Sequence, residues 1–379
     1  MHVAIVTQTY PRSDESPRGG VEGASVHLVH GLSEIAGVRV TVIVAAGGRS
    51  GSTRERSGGA DVVRLVKENC LPTFIDLLGP GRRRIAKALD EITPDITHYQ
   101  AFAWWPAHIA GKNVLTVHGV SELDSKFKGA RPSARVSSWL ISNTEGRSRQ
   151  SVQNVIAISE YTVSLLMGNA ARTVWKIENP ISNEFFGIDP SPQPGRMLVA
   201  GMISPLKNTL EVIHVASRVA SNVRPLELRI AGWGMDTSYG HRCLAAAKAL
   251  PPRVRVTFLG PLSVPEMVSE LSQAELLVLA SLQENAPMVI AEALAAGVPV
   301  LAACVGGVPE MVEEGRSGRM FRPGDRGEMI AQWQRLVGQD DLKSMGIHAR
   351  CSAQRFRASV VAEKTLSVYR AILARDHDQ

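Results

Sequence analysis

The sequence predicts an α/β protein built from two Rossmann-like, doubly wound parallel-sheet domains. Three observations favour this fold class. The chain has 379 residues, more than a single hydrophobic core usually supports. Apolar, β-branched segments alternate with helical patterns, which is typical of parallel sheets covered on both faces. A proline-rich segment at residues 189–195 separates two such series and suits an interdomain linker, so we place the domains at residues 1–190 and 191–358.

The predicted strands are short and rich in apolar and β-branched residues. The first series comprises residues 3–7, 39–45, 61–66, 95–99, 113–117, 154–158 and 173–177. The second series comprises residues 197–200, 226–231, 253–259, 275–279 and 298–303. We predict loops at residues 47–59 and 124–150.

Helical signals are clearest in the second half of the chain. Pro205 and Pro287 each stand where a helix can begin, because the fixed φ of proline suits the first helical turn. A final helix at residues 359–374 carries apolar side chains at helical spacing, so it must cover an apolar surface.

Charge and cysteine usage narrow the function classes. Forty-two Lys and Arg against 36 Asp and Glu give a net charge of +6, which favours acidic partners without the density of a dedicated nucleic-acid binder. The 4 cysteines form no C-x-x-C pair, so a reducing cytoplasm fits better than a disulfide scaffold or a zinc ribbon. The amino end lacks a signal-peptide pattern, and glycine and proline divide the apolar residues 286–308 into a helix and a strand. We therefore expect neither export nor a membrane span.

Glycine-containing turns follow several predicted strands. Gly20, Gly201 and Gly232 occupy such positions, and a glycine lets backbone amides approach a phosphate beside the positive end of a helix. The complete G-x-G-x-x-G fingerprint does not follow the first strand. This disfavours a nicotinamide-dependent dehydrogenase.

The most specific signal lies at residues 281–300. Glu284 and Glu292 are separated by seven residues and are followed by A-x-G-x-P-V and then by G-G-x-x-E. This run resembles the donor-binding signature of family 4 glycosyltransferases, which have the GT-B fold. Further segments agree in order, namely Gly-Gly-Val-Glu at 19–22, Thr-Val-His-Gly at 116–119 and Gly-Arg-Ser-Gly at 315–318.

The resemblance covers nearly the whole chain and is strongest at residues 195–325. It implies two domains that face each other across a cleft, with a nucleotide-sugar donor on the second domain and the acceptor on the first. It also implies that the carboxy-terminal segment at residues 359–379 packs back on the first domain. Transfer with retention of anomeric configuration is expected from the family.

Residue by residue, the resemblance assigns the donor site. Glu284 would hold the sugar hydroxyls and Glu292 the ribose hydroxyls, and eight residues of helix rise about 12 Å, which matches the reach of a nucleotide sugar. The amides of Ala286 and Met288 would face the diphosphate, whereas Pro287 has no amide hydrogen. The donor-binding residues of this segment are Asn285, Ala286, Pro287, Met288 and Glu292. The alternative for Glu292 is a surface position on an amphipathic helix.

Three residues are expected to be catalytic: His118, Lys207 and Glu284. Negative charge develops on the departing diphosphate, so a fixed cation there stabilises the transition state. Lys207 matches the family's lysine, but Met202 stands where an arginine is usual. His118 matches a donor-sugar contact near the reacting carbon, and the alternative is a structural histidine.

We expect no cofactor and no metal requirement. His27 and His30 have metal-ligand spacing, but no third ligand is evident. The resemblance instead implies a UDP- or GDP-type nucleotide sugar as co-substrate.

A basic segment suggests contact with an anionic membrane. Residues 124–150 carry six Lys or Arg against two acids, and Arg82, Arg83, Arg84 and a Trp104–Trp105 pair add to this character. An ordinary solvated loop with core tryptophans explains the same pattern. We expect a glycan or lipid-linked acceptor, and attachment would favour a lipid-linked or phospholipid sugar presented at the inner membrane face. Nucleic-acid binding is disfavoured, since aromatic residues total only 5% without a stacking motif.

The sequence therefore predicts a cytoplasmic glycosyltransferase. One alternative is a non-catalytic or weakly active nucleotide-sugar-binding protein, since Met202 removes an expected cation. A nucleotide-sugar epimerase of the same fold is a further alternative, and the signature from Glu284 to Glu292 argues against it.

Overall fold

The computed structural model describes residues 1–12, 15–48, 53–66, 76, 79–101, 112–119, 152–167, 172–220, 225–337 and 342–377. They form two compact units. The first contains the described residues up to Pro180 and those from Phe356 onward, and the second contains Ile181–Arg355. Among the described helices, none is long and apolar enough to cross a membrane.

The elements alternate between strands and helices. The strands of the first unit are β1 (His2–Thr7), β2 (Arg39–Gly48), β3 (Thr53–Ser57), β4 (Ala60–Val66), β5 (Ile96–Gln100), β6 (Asn113–Val117), β7 (Asn154–Ala157) and β8 (Thr173–Lys176). Those of the second are β9 (Arg196–Ala200), β10 (Leu226–Ala231), β11 (Val254–Gly260), β12 (Leu276–Leu279), β13 (Val300–Ala303) and β14 (Gly318–Phe321). The helices are α1 (Gly20–Ser33), α2 (Pro80–Ile92), α3 (Glu160–Leu166), α4 (Thr209–Ala220), α5 (Ser238–Lys248), α6 (Val264–Gln273), α7 (Met288–Ala296), α8 (Val308–Met311), α9 (Arg326–Val337), α10 (Leu342–Ala353) and α11 (Ala358–His377).

Both sheets have the doubly wound order that the sequence predicts. The first runs β3-β4-β2-β1-β5-β6-β7-β8, and the second runs β11-β10-β9-β12-β13-β14. All neighbouring strands are parallel except the antiparallel β3–β4 pair. The strand order reverses between β1 and β5 in the first sheet and between β9 and β12 in the second. Ligands of such folds bind beyond the carboxyl ends of the strands at these switch points.

The carboxy-terminal helix belongs to the core of the first unit. Leu366, Tyr369 and Ile372 of α11 are buried in the same apolar cluster as residues of β1, β2 and α1. A Cβ at Gly31 of α1 would lie 2.5 Å from the carbonyl oxygen of Ala358, so a glycine is required where the two helices meet.

The proline-rich segment 189–195 does not separate the two compact units. The units divide between Pro180 and Ile181, not near residue 190. A 3₁₀ helix at Asn183–Gly187 buries Phe185 within the second unit. The amides of Ser191 and Gln193 donate to the carbonyls of Ser272 and Gln273, because prolines at alternate positions leave the intervening N–H groups available for pairing. The proline-rich segment is therefore attached to the second unit.

Two strands were missed, and one helix begins later than predicted. Strand β3 lies within the predicted 47–59 loop. It was missed because its residues are polar and largely exposed and so lack an apolar pattern. Gly58 and Gly59 adopt φ of +60° and +85° in the β3–β4 turn, as a tight hairpin requires. Strand β14 has only four residues. Turns follow Pro205 until Asn208, whose φ is +53°, so α4 begins at Thr209.

Candidate functional site

The second unit brings a lysine and a glutamate together at its switch point. Lys207 follows β9 and Glu284 follows β12, and these strands are neighbours in the sheet. Lys207 Nζ donates to Glu284 Oε1 at 2.5 Å. The Glu284 side chain is 9% exposed and that of Lys207 is 27% exposed, so the ion pair is shielded but reachable.

Backbone contacts hold the two loops that carry this pair. The amide of Leu282 donates to the carbonyl of Leu206 at 2.8 Å, which joins the loop after β12 to the loop after β9. The stem of Lys207 lies beside Gly201, where an added Cβ would be 3.8 Å from the lysine Cε. The ammonium is thereby directed at the edge of the sheet where ligands of this fold bind.

Glu292 lies on the less buried stripe of an otherwise buried helix. Six residues of α7 are buried, whereas Met288, Val289 and Glu292 are partly exposed. Among the described residues, none pairs with the Glu292 carboxylate, and burial raises its pKa to about 7. A carboxylate in this position is an acceptor for hydroxyl groups.

The segment before α7 offers polar groups as well. Pro287 is the residue that precedes α7, so the predicted helix start at this proline is confirmed within one residue. Within the part of the chain that the structure describes, Asn285 Oδ1 and Ser281 Oγ are buried and have no hydrogen-bond partner. Ser281 was not predicted as a site residue, although it lies two residues beyond the predicted strand 275–279. The positive end of α7 favours an anion beside Ala286 and Met288.

The glycines of the second unit act through close packing. The amide of Gly201 donates to the carbonyl of Ala231, and the amide of Gly232 donates to that of Gly260. A Cβ on Gly232 would lie 1.9 Å from the Gly201 carbonyl oxygen, and φ at Gly232 is +142°. Both amides are hydrogen-bonded within the unit, and the assignment of Gly201 and Gly232 to the donor site stays a prediction. Any contribution to a ligand site comes from the missing side chains.

Met202 and Trp233 are exposed on adjoining loops. Their side chains are 60% and 57% exposed, and the amide of Ile203 donates to the carbonyl of Trp233 at 2.7 Å. The position where the family usually has an arginine is thus an exposed apolar side chain. Met202 offers no charge to an anion.

The first unit holds the other two predicted residues, Gly20 and His118. Gly20 is the first residue of α1, at the carboxyl side of β1. His118 directly follows β6 and is half-buried, and burial lowers its pKa to about 4. His118 is therefore neutral at pH 7.

His118 ends a buried polar network that the sequence did not reveal. Its Nε2 lies 2.7 Å from Gln100 Oε1, and Gln100 Nε2 lies 3.1 Å from His98 Nε2. His98 also contacts Thr116 Oγ1 and Tyr369 Oη, each at 2.6 Å. A usable signal was present, because polar residues at alternate positions of a strand, here His98 and Gln100, share one face.

The predicted residues are thus divided between the units. Gly20 and His118 lie in the first unit. All the others lie in the second unit, namely Gly201, Lys207, Gly232, Glu284, Asn285, Ala286, Pro287, Met288 and Glu292.

Other predicted features have mixed outcomes. The basic segment 124–150, Trp104 and Trp105 lie outside the described residues. Arg84 forms an ion pair with the fully buried Asp76 at 2.5 Å, so it does not add to a basic surface as expected. Its charge is neutralised within the fold.

Two family models match the chain in tandem. The model described as Glycosyltransferase Family 4 matches residues 18–184, and the one described as Glycosyl transferases group 1 matches residues 194–339. The first match ends just after the division between the two units, and the second lies within the second unit.

Curated proteins with related sequences carry glycosyltransferase names. A D-inositol 3-phosphate glycosyltransferase of Nocardia farcinica is 32% identical over 195 residues, which span 48% of this chain and 42% of that protein. A glycogen synthase of Mycobacterium tuberculosis is 27% identical over 303 residues, or 73% of this chain and 69% of that protein. The chain therefore aligns with less than half the length of the first relative.

Solved structures share the whole fold. A sucrose-phosphate synthase from Thermosynechococcus elongatus superposes with a TM-score of 0.77 at 18% identity over 99% of both chains. Anabaena HepE, in complex with UDP and glucose, superposes with a TM-score of 0.71 at 16% identity over 98% of this chain and all of that one. These neighbours are GT-B glycosyltransferases, so the predicted fold is confirmed.

Proposed function

The chain belongs to glycosyltransferase family 4, and from this membership we propose that it transfers a sugar from a nucleotide-diphosphate donor to a hydroxyl-bearing acceptor. The observation that carries the proposal is the Lys207–Glu284 pair at the switch point of the second unit, with Glu292 on the next helix. The Lys207 cation suits the diphosphate of such a donor, the shielded Glu284 carboxylate suits its sugar, and Glu292 suits the hydroxyl groups of its ribose.

Lys207 has the central electrostatic role in this proposal. When the bond between the sugar C1 and the diphosphate oxygen breaks, negative charge builds up on the leaving group. An ammonium held by the fold stabilises that charge without reorganisation, because its direction is already fixed. Glu284 orients Lys207 through the 2.5 Å hydrogen bond and offers its second oxygen to sugar hydroxyls.

Glu292 suits a ribose better than a phosphate. A carboxylate repels a diphosphate, but its pKa of about 7 leaves it partly protonated at neutral pH, which reduces the repulsion. Two ribose hydroxyls can donate to one carboxylate, and such charge-assisted hydrogen bonds favour the ionised form. The donor would therefore bind with its nucleoside near Glu292.

The reaction we propose retains the anomeric configuration. The C1–O bond to the diphosphate breaks, a C1–O bond to the acceptor forms on the same face, and the acceptor proton passes to the departing phosphate oxygen. No external base is then needed. His118, neutral at pH 7, would accept a hydrogen bond from a donor-sugar hydroxyl.

We propose a UDP- or GDP-sugar as donor and a glycan, a lipid-linked sugar or a small hydroxylated molecule as acceptor. HepE binds UDP and UDP-glucose, and the relatives are named for inositol phosphate and for glycogen. Transient attachment to an anionic leaflet, through the basic segment 124–150, would bring a lipid-linked acceptor within reach. Sedimentation with vesicles of increasing anionic-lipid content tests the attachment, which fails if binding does not depend on that content.

A thermal-shift screen against UDP, GDP, ADP and their sugar conjugates, with and without magnesium, tests the donor class. Ligand binding to the native state raises the melting temperature by mass action. We expect one nucleotide series to shift the native protein, and the shift to shrink in Glu292→Gln but not in Glu363→Gln, which removes an exposed charge from α11. A folded protein that no nucleotide shifts would contradict the proposal.

Product analysis tests the reaction itself. The donor selected by the screen is incubated with D-inositol 3-phosphate or an α-glucan, and the product's anomeric coupling is measured by NMR. Donor binding without release of nucleotide diphosphate, with these acceptors or with water, would instead support the non-catalytic alternative that the exposed Met202 raises.

A further inference from the structure

The network behind His118 is made of side chains that must pair with one another. His98, Gln100, Thr116 and Tyr369 are each at most 5% exposed, so water does not satisfy them. A buried polar group without a partner costs about 1 to 3 kcal/mol, so each of these contacts has a reason to be kept. Tyr369 belongs to the carboxy-terminal helix α11, and its ring meets that of His98 edge to face at 5.7 Å.

The oxygen and nitrogen of the Gln100 carboxamide determine which atoms of the network donate hydrogen bonds and which accept them. A carboxamide oxygen only accepts and a carboxamide nitrogen only donates. Gln100 Oε1 faces His118 Nε2, so that ring nitrogen carries the proton. Gln100 Nε2 faces His98 Nε2, so the proton of His98 is on Nδ1, from which it is donated to Tyr369 Oη.

This assignment of donors and acceptors leaves Nδ1 of His118 as a hydrogen-bond acceptor. With the proton on Nε2, the neutral ring presents the lone pair of Nδ1. Among the described residues, no group forms a hydrogen bond of acceptable geometry with this buried Nδ1. The side chain of Asn179 lies close enough to the ring to oppose the lowering of its pKa by burial. A cavity of about 20 Å³ is lined by His118, Gln100 and Asn179 among others, which is room for one water molecule or one hydroxyl group.

We propose that Gln100 is a positioning residue for His118. It holds the ring in the Nε2–H tautomer, so that Nδ1 accepts a hydrogen bond from a ligand hydroxyl, and His98 and Tyr369 fix the carboxamide from behind. The assignment of that hydroxyl to the donor sugar rests on the proposed function. The tautomer does not.

The tautomer is measured directly by nitrogen NMR of protein labelled with ¹⁵N-histidine. The His118 signals are identified by their loss in His118→Gln. In the native protein we expect a protonated Nε2 and an unprotonated Nδ1 near pH 7. Gln100→Met keeps the side-chain length but removes both polar ends, so a mixture of tautomers is expected. Gln100→Glu still accepts from Nε2–H and should retain the native tautomer.

Two further variants keep the test interpretable. Gln273→Met removes a hydrogen-bonded glutamine from the second unit and should leave the His118 signals unchanged. If Gln100→Met does not fold, Tyr369→Phe removes only the far hydroxyl, and the His98 signals should then change. A native tautomer of His118 in folded Gln100→Met, or unchanged His98 signals in Tyr369→Phe, would overturn the proposal.

Kinetics separate this proposal from the proposed function. With the donor found by the nucleotide screen, we expect Gln100→Met to lower kcat and kcat/KM together by about 10-fold, and Gln100→Glu to recover most of it. A changed tautomer with unchanged kinetics would keep the positioning role and remove His118 from the reaction. A native protein without transferase activity would contradict the proposed function and leave the NMR result standing.

Discussion

The two sheets present opposite kinds of polar group at their carboxyl ends. In the first unit the side chains behind His118 are neutral, buried and paired with one another. In the second unit Lys207 and Glu284 form an ion pair, and Glu292 carries a carboxyl group without a partner among the described residues. The first arrangement stabilises the fold and fixes one ring. The second arrangement leaves charge available for a ligand, at a cost in stability.

The largest expected effect follows from removing the Lys207 cation of the second unit. Lys207→Ala should lower turnover by about 100- to 1,000-fold, the usual loss when one electrostatic contact to a leaving group is removed. The measurement is release of nucleotide diphosphate, with circular dichroism as a check on the fold. Lys248→Ala is the matched control, since Lys248 is an exposed lysine of the same unit.

A double variant separates chemistry from structure at this pair. Lys207→Ala alone leaves the Glu284 carboxylate shielded without its cation, which should also lower the melting temperature. Lys207→Ala combined with Glu284→Gln should recover stability but not turnover. Recovered turnover would mean that Lys207 serves only to neutralise Glu284.

The second prediction concerns ligand binding at the unpaired carboxyl group. Glu292→Gln should weaken nucleotide binding by about 1 to 3 kcal/mol, because two ribose hydroxyls lose a charged acceptor. Calorimetric titration with the nucleotide selected by thermal shift gives the affinity. Unchanged affinity would remove the ribose role, whereas Glu363→Gln should change nothing.

The third prediction uses pH, to which the two regions respond with opposite sign. Glu292 has a folded pKa of about 7 against 4.5 in the unfolded chain, so the native state holds its proton longer. Its contribution to stability is present below pH 4.5 and is lost as pH rises through 7. His98 and His118 have pKa values lowered to about 3 and about 4, so their contribution is present above pH 6.5 and is lost on acidification.

Removal of Glu292 should therefore remove its own part of the pH dependence. We expect the free energy of unfolding of Glu292→Gln, measured by urea denaturation at pH 8, to exceed that of the native protein by about 1 to 3 kcal/mol. At pH 4 the two proteins should be equally stable. An equal gain at both pH values would mean that Glu292 is not protonated in the folded state. The urea dependence of unfolding should keep the same slope, since the exposed surface does not change.

The sequence predicted the fold well. Of the two groups of polar residues compared above, it predicted the charged residues of the second unit but not the neutral network of the first. Strong apolar periodicity located twelve of the fourteen strands that the structure describes, and β3 and β14 escaped because one is polar and the other has four residues. The glutamates were found because both belong to one short sequence motif, although only Glu292 lies on α7. Gln100 and Tyr369 are far apart in the chain, so only the folded structure shows that they meet around His98.

The smallest expected effect sharpens the comparison at Met202. Its side chain is 60% exposed, so Met202→Arg should change the free energy of unfolding by less than about 0.5 kcal/mol. An arginine there would add a second cation beside Lys207, which should preserve turnover or raise it a few-fold. The change would lie in kcat, since the charge on the diphosphate grows in the transition state. A large loss of turnover, with the fold intact by circular dichroism, would instead show that the loop after β9 needs an apolar side chain beside Trp233. Lys207 and the positive end of α7 would then supply the positive charge at this site.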